Sequence, residues 1–241
     1  MIAFAKTDVG KAREMNQDYY YISGQNEKIK VYILADGMGG YNGGEIASKL
    51  ATTTALSYIQ TNFDSVPKER EDILNLVKSA VEYANMVVYE KANESPELEG
   101  MGTTLEVCLI YNNKIYIGHV GDSRVYRIRK EFIRKLTHDH SYVEKLVKDG
   151  TITKEEAMYH PKKNMLMKAL GCTPFVEPDV TVKGFIKDDT VLICSDGLTN
   201  MVSEKEIFEI IKKEGTLAAE KLVEKANENG GYDNITAIVI H

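Results

Sequence analysis

Cysteine is scarce: the chain has three, Cys108, Cys172 and Cys194. An odd number of widely separated thiols, two of them inside apolar runs, is not a disulfide framework and points to a reducing compartment. Excess positive charge is missing as well. The 30 Lys and Arg stand against 36 Asp and Glu, a formal net charge of -6, which argues against general affinity for nucleic acid or anionic membrane. Short basic groups at 127–130 and 162–163 read as solvated faces or local substrate contacts. No run approaches the ~20 apolar residues needed to span a bilayer, and the first residues lack a cationic start ahead of a signal-length apolar core. The expectation is a soluble cytoplasmic protein. Internal repeats and low-complexity stretches are absent too, and with 43% hydrophobic and 27% charged residues all 241 should fold.

What is present alternates between strand-like and helix-like stretches, with the strands in consecutive groups, as antiparallel sheets require. The first group is 2–7, 19–23 and 30–35. Ala47, Ala51, Ala55 and Ile59 then recur at helical spacing, and Ile73, Leu76, Val77, Ala80, Val81, Ala84, Val87 and Val88 trace a second helical stripe. A meander follows at 105–111, 114–120 and 124–129, its first turn made by Asn112-Asn113, residues that tolerate positive φ. Capping boxes Ser141/Glu144 and Thr153/Glu156 predict two short helices, the first ended by Gly150. Strands resume at 180–185 and 190–194. A helix capped by Ser203 and Glu206, another over 217–227 stopped by Gly230-Gly231, and a strand at 235–240 complete the chain. The predicted fold is α+β: a four-layer αββα sandwich of two antiparallel sheets packed face to face, a helix pair on each outer side. It forms a single domain, 1–241, with a small helical flap over about 138–170.

Four acidic turns lie at predicted strand ends: Asp36-Gly37, Gly121-Asp122-Ser123, Ser195-Asp196-Gly197 and Asp233-Asn234. Strand ends are rigid places to hold ligands, although Asp-Gly by itself is an ordinary turn sequence. In combination, carboxylates without His or Cys partners form an all-oxygen donor set, which selects Mg²⁺ or Mn²⁺ over zinc. Glycine after Asp36 leaves its carbonyl open to close approach.

The chain resembles the bacterial members of the protein phosphatase 2C family over nearly its whole length. The resemblance is carried by Gly10-Lys11-Ala12-Arg13-Glu14-Met15-Asn16-Gln17-Asp18, Ala35-Asp36-Gly37-Met38-Gly39-Gly40, Gly44-Glu45, Gly102-Thr103-Thr104 and Gly118-His119-Val120-Gly121-Asp122-Ser123-Arg124. It continues through Leu136-Thr137, Asp139-His140-Ser141, His160-Pro161, Ala169-Leu170-Gly171, Cys194-Ser195-Asp196-Gly197-Leu198 and Asp233-Asn234-Ile235-Thr236. It implies a metal-dependent protein-serine/threonine phosphatase. Asp36 would bridge two divalent cations, Mn²⁺ or Mg²⁺, helped by the Gly37 carbonyl, with Asp196 and Asp233 on the other cation. Asp18 would act through water, Asp122 would serve a weaker third metal, and Arg13 would hold the substrate phosphate.

Water activated between the metals would attack the phosphoester in one step, without a phosphoenzyme. The partners implied are phosphorylated proteins, a cognate bacterial serine/threonine kinase and its substrates; the protein is expected to be monomeric. Met38 departs from eukaryotic relatives, which carry His there, and a thioether cannot donate a proton; a water near Asp122 is expected to replace it. Ser195 lacks a Gly-x-Ser-x-Gly context, so a covalent role is not expected. His119, His138, Asp139 and His140 are assigned structural roles. A nucleotide-binding reading of the glycines fails because Gly-x-Gly-x-x-Gly would need glycine at Asn42. A pseudoenzyme would have lost a ligand, yet Asp36, Asp196 and Asp233 are all present.

Overall fold

Residues 1–39 and 43–241 are described by a computed structural model; Gly40 of the Asp36 motif and Asn42 lie outside the described residues. The first strands are β1 (Ala3–Asp8), β2 (Asp18–Ile22) and β3 (Lys30–Met38), followed by helices α1 (Gly44–Asn62) and α2 (Arg70–Ala92). Then come β4 (Gly102–Thr103), β5 (Leu105–Tyr111), β6 (Lys114–Val120), β7 (Arg124–Arg129) and β8 (Phe132–Lys135), and short helices α3 (Tyr142–Lys148) and α4 (Lys154–Met158). Strands β9 (Asp179–Gly184) and β10 (Thr190–Cys194), helices α5 (Asp196–Thr199), α6 (Glu204–Glu214) and α7 (Ala218–Glu228), and β11 (Ile235–Ile240) end the chain.

The strands form two antiparallel sheets, ordered β1-β11-β10-β7-β8 and β2-β3-β5-β6-β9, with β4 added to the end of β3. Burial explains how they stack. In β3, Val31, Ile33 and Ala35 pack under α1 and α2, while Tyr32 and Leu34 meet the other sheet. In β11, Ala237 and Val239 pack against the layer of α6 and α7, and Ile238 and Ile240 point between the sheets. Three cores therefore separate four layers, as the sequence predicts. Burying one such aliphatic side chain contributes about 1.5–3 kcal/mol, and a one-residue slip of β3 would misplace all of them at once. Register is thereby pinned, and Asp36, next after Leu34 on the alternating face, emerges at the end of the seam between the sheets.

Local signals account for the joints. Asn112 and Asn113 have φ of 47° and 57°, as a tight hairpin of this hand requires. Thr153 with Glu156 and Ser203 with Glu206 close full capping boxes, whereas Ser141 accepts from the Glu144 N–H at 3.3 Å as a one-sided cap. The sequence reading misses β4, β8 and α5, and it stops β3 too early. Asp36-Gly37 does not turn: Gly37 and Met38 stay extended because they pair with Thr103 and Gly102.

The segment 138–170 leaves the sandwich and returns beside its own root. Tyr142 N–H donates to the Met165 carbonyl at 2.8 Å, and Thr103 and Leu170 exchange bonds at 3.1 and 2.9 Å. Neither α3 nor α4 buries a residue. Among the described residues, no helix is long and apolar enough to cross a membrane.

Candidate active site

At the end of the seam lies a cavity of about 820 Å³, lined by Arg13, Asp36, Gly37, Met38, Asp122, Asp196 and Asp233 among others. Each aspartate arrives on a different strand end: Asp36 on β3, Asp122 after β6, Asp196 directly after β10 and Asp233 before β11. Every predicted side chain except Asp18 lines the cavity; Asp18 sits just behind, 8% exposed, as the register partner of Asp36. From the lobe, Asn164 and Leu166 reach the same cavity.

Hydroxyl and amide side chains hold this arrangement. Thr104 grips the Asp36 backbone from both sides: its Oγ1 accepts from the Asp36 N–H at 3.0 Å and its N–H donates to the Asp36 carbonyl at 2.9 Å. Thr103 Oγ1 donates to the same carbonyl at 2.9 Å. Asp18 Oδ2 accepts from Ser195 Oγ at 2.8 Å and Thr236 Oγ1 at 2.6 Å, tying the two sheets together. Asn234 donates to the carbonyls of Val9 and Met15 and accepts from Gln17 N–H, which fastens the loop carrying Arg13. Arg13 Nη2 donates to Asp233 Oδ2 at 2.9 Å, in an ion pair more than half exposed on the arginine side.

A Cβ on Gly37 would overlap the Gly44 and Gln17 carbonyl oxygens, and one on Gly197 the Asn234 carbonyl. Both glycines are needed for close backbone approach beside the aspartates.

The electrostatics are those of crowded carboxylates. Burial first, then Asp18, Asp196, Asp122 and Asp233, push Asp36 well above the usual carboxylate range. Burial, then Asp196 and Asp139, push Asp122 up to about 8, against Arg124. Asp18 is pushed up to about 7 by burial, which outweighs the hydroxyls of Thr236 and Ser195. Burial and then Asp233 raise Asp196. Such a cluster is unfavourable without positive charge among it.

The donor set fits hard divalent cations. It is all oxygen, its carboxyls repel one another, and Asp18 Oδ1 is buried with no hydrogen-bond partner. Among the described residues no three His, Cys, Asp or Glu side chains already converge as a closed ligand cluster. Hard cations complete their shells with water and carbonyl oxygens.

The other predicted positions sit as follows. Ser195 is fully buried, its hydroxyl engaged by Asp18. Asp139 is buried in bonds from Arg124 at 2.7 and 3.0 Å and from Lys135 at 3.1 Å. His119 is buried in β6 and His140 sits at the lobe root; neither lines the cavity. Sequence reasoning missed Glu106, fully buried opposite His119; its signal was a carboxylate inside the apolar run of β5.

The sequence pattern of the family described as Protein phosphatase 2C matches residues 10–224. The chain is 39% identical to the serine/threonine phosphatase stp of Listeria innocua, covering 100% of this chain and 95% of that protein. Its fold is similar to the crystal structure of the Mycobacterium tuberculosis serine/threonine phosphatase PstP/Ppp, with TM-score 0.88 and 36% identity over 99% of this chain and 97% of that one. A PstP catalytic domain in complex with two manganese ions matches with TM-score 0.85 and 35% identity, over 99% and 96% of the respective chains.

Proposed function

The chain belongs to the protein phosphatase 2C family, and from that premise we propose that it hydrolyses phosphoserine and phosphothreonine esters of proteins at the aspartate cavity. One observation carries the reading: Asp36, Asp122, Asp196 and Asp233, far apart in sequence, line one cavity at the seam of two sheets.

Asp36 with the Gly37 carbonyl, Asp196 and Asp233 would hold two divalent cations, Mn²⁺ or Mg²⁺; the two manganese ions of PstP support this number and kind. When bound, the cations supply Lewis-acid activation of water and offset phosphate charge. Asp122 serves a weaker third cation, and Asp18, one shell behind, acts through water. Arg13, at the cavity wall on a loop held by Asn234, binds the substrate phosphate with a planar pair of donors. Thr104 and Thr103 keep the Asp36 backbone still, so its carboxylate needs little reorganisation. Met38 lines the cavity but offers no proton, so the leaving oxygen is protonated from solvent near Asp122.

The finer expectations belong to the same proposal: residues 1–241 act as one catalytic unit with 138–170 as its flap. The substrates are phosphoproteins of a bacterial serine/threonine kinase, and the protein is a cytoplasmic monomer. The test is hydrolysis of a phosphothreonine peptide with Mn²⁺, with chelator, and by Asp36→Asn. Activity should require the metal and fall by about three orders of magnitude in the variant; turnover that survives either treatment rejects the reading.

A further inference from the structure

Where β5 and β6 meet the root of the lobe lies a buried polar cluster that phosphoester hydrolysis does not explain. Glu106 and His119 are register partners across β5 and β6 and are 0% and 1% exposed. On the face of β5 that carries Glu106, its neighbours Cys108 and Leu34, the latter opposite it on β3, are fully buried apolar residues, so packing alone gives no reason for a carboxylate there. Glu106 Oε1 lies 2.5 Å from His119 Nδ1, and Glu106 Oε2 has no hydrogen-bond partner. The second imidazole nitrogen, Nε2, lies 2.7 Å from the His138 carbonyl.

A carbonyl can only accept, so Nε2 carries a proton, and the Nδ1···Oε1 contact requires another. The pair therefore holds one proton more than a neutral imidazole beside a carboxylate would. Burial pushes Glu106 up to about 7; burial would lower His119, but Glu106 and the His138 carbonyl outweigh it and raise it. Both directions keep that proton in place near neutrality. The charges facing the pair are compensated: Asp139 by Arg124 and Lys135, and Asp179, opposite His119 on β9, by Lys168, with the neutral His140 ring beside it.

From His119 the contact chain runs to the cavity. The His119 and His140 rings lie 4.5 Å apart between centroids, tilted by 32°. His140 Nδ1 accepts from the Gly121 N–H at 3.1 Å, and the His140 N–H donates to the Gly121 carbonyl at 2.7 Å. Two bonds thus clamp the residue before Asp122, and Gly121 sits at φ +117°, where other residues would be strained. The His140 carbonyl accepts from Met167 N–H at 2.7 Å, so the same residue ties down the returning arm of the lobe.

Resting on the reading of Asp122 as a cation ligand, we propose that Glu106 and His119 are a proton-sharing positioning pair. Acting through His140, they hold the Gly121-Asp122 turn in the geometry that the weaker cation site requires. Neither side chain touches substrate or cation; their work is to keep a ligand-bearing turn from drifting.

The test uses the full chain with His119→Gln and Glu106→Gln. Glutamine at 119 cannot donate from two opposed nitrogens, and Glu106→Gln keeps the volume while removing the negative charge. Nitrogen-15 spectra of the metal-free wild type should show both His119 ring nitrogens protonated at neutral pH, a signature lost in Glu106→Gln. Exchange of the Gly121 amide should speed up about tenfold in His119→Gln. The weakest phase of a calorimetric Mn²⁺ titration should weaken about tenfold or more, as removal of outer-shell support does, while KM for a phosphopeptide at saturating Mn²⁺ stays within about twofold. Circular dichroism checks the fold; should His119→Gln not fold, Glu106→Gln carries the same exchange and titration measurements.

A wild-type ring with a single protonated nitrogen beside an ionised Glu106 carboxylate, read from its carbon-13 shift, overturns the pair. Gly121 exchange unchanged in a folded variant overturns the clamp, and faster exchange with an unaltered Mn²⁺ titration overturns the link to Asp122. Absence of hydrolysis by the wild type would reject the phosphatase reading instead, leaving the spectra, exchange and titration to decide the pair.

Discussion

Asp18 and Asp36 stand opposite each other across β2 and β3, two carboxylates in one register position. Like charges placed this way destabilise a sheet, and here burial and Asp196 add to the cost. Cations at the cavity would reverse its sign. Mn²⁺ should therefore raise the thermal midpoint of the wild type, and the rise should shrink in Asp36→Asn, whose metal-free form should melt higher than metal-free wild type. Differential scanning calorimetry with and without chelator reads both; equal shifts in the two proteins would contradict a cation-dependent cluster.

Thr236→Val removes one of two hydroxyls donating to Asp18 while keeping the shape. A hydrogen bond to a charged or partly charged group is worth about 1.5–3 kcal/mol, so urea unfolding of the cation-loaded protein should show a loss in that range. The substituted site also loses a bond between the sheets, and a change under about 0.5 kcal/mol would show that Asp18 is held by Ser195 alone.

Gly37→Ala places a methyl group against the backbone carbonyls of Gly44, at the start of α1, and of Gln17, on the cavity wall. Neither can retreat without moving Asp36 or the start of α1. The expected cost is about 3 kcal/mol or more, with phosphopeptide hydrolysis lost. Wild-type stability together with wild-type turnover would mean that the backbone relaxes freely there.

Arg13 separates binding from folding. Its ion pair with Asp233 is exposed, and exposed pairs contribute about 0–1 kcal/mol. Arg13→Ala should leave stability nearly unchanged and raise KM for phosphopeptides about tenfold or more, with Arg13→Lys in between because it lacks the planar fork. Steady-state kinetics decide it: a fall in kcat with KM untouched would place Arg13 outside phosphate binding.

His140 sets a pH limit on the lobe root. Burial first, then the neighbouring His119, lower its pKa from 6.5 to about 4. The unfolded chain takes up a proton as pH falls through 6.5, which the folded protein refuses until about 4. Stability from neutral His140 is thus complete above 6.5 and lost progressively toward 4, where a protonated Nδ1 can no longer accept from Gly121. Urea midpoints measured from pH 7.5 to 4.5 should fall more steeply for the wild type than for His140→Asn; parallel curves would remove His140 from the acid response.

Much of the fold was legible because periodicity reports burial directly. The stripe from Ile73 to Val88 is α2, and the near-continuous apolar runs at 31–35 and 235–240, buried on both faces, are β3 and β11. Asn112-Asn113 and the capping pairs carry their geometry in their own side chains, so neighbours in sequence suffice to read them. The same holds for the aspartates at strand ends, each recognisable beside a glycine or a small residue.

What the sequence by itself determined is therefore most of the elements marked by a clear apolar run, a helical stripe or a local cap, though not β8 or α5, and the identity of the aspartates offered to the cavity. Tertiary structure decided the rest. Asp36-Gly37 remains a strand because β4, some sixty-five residues away, supplies hydrogen bonds that override its turn propensity. Glu106 becomes tolerable only because His119 faces it across β5 and β6. Asp18 and Asp36 are adjacent for the same reason: register between strands, unlike periodicity within one, is set by cores packing on both faces of a sheet and is written at no single place in the chain.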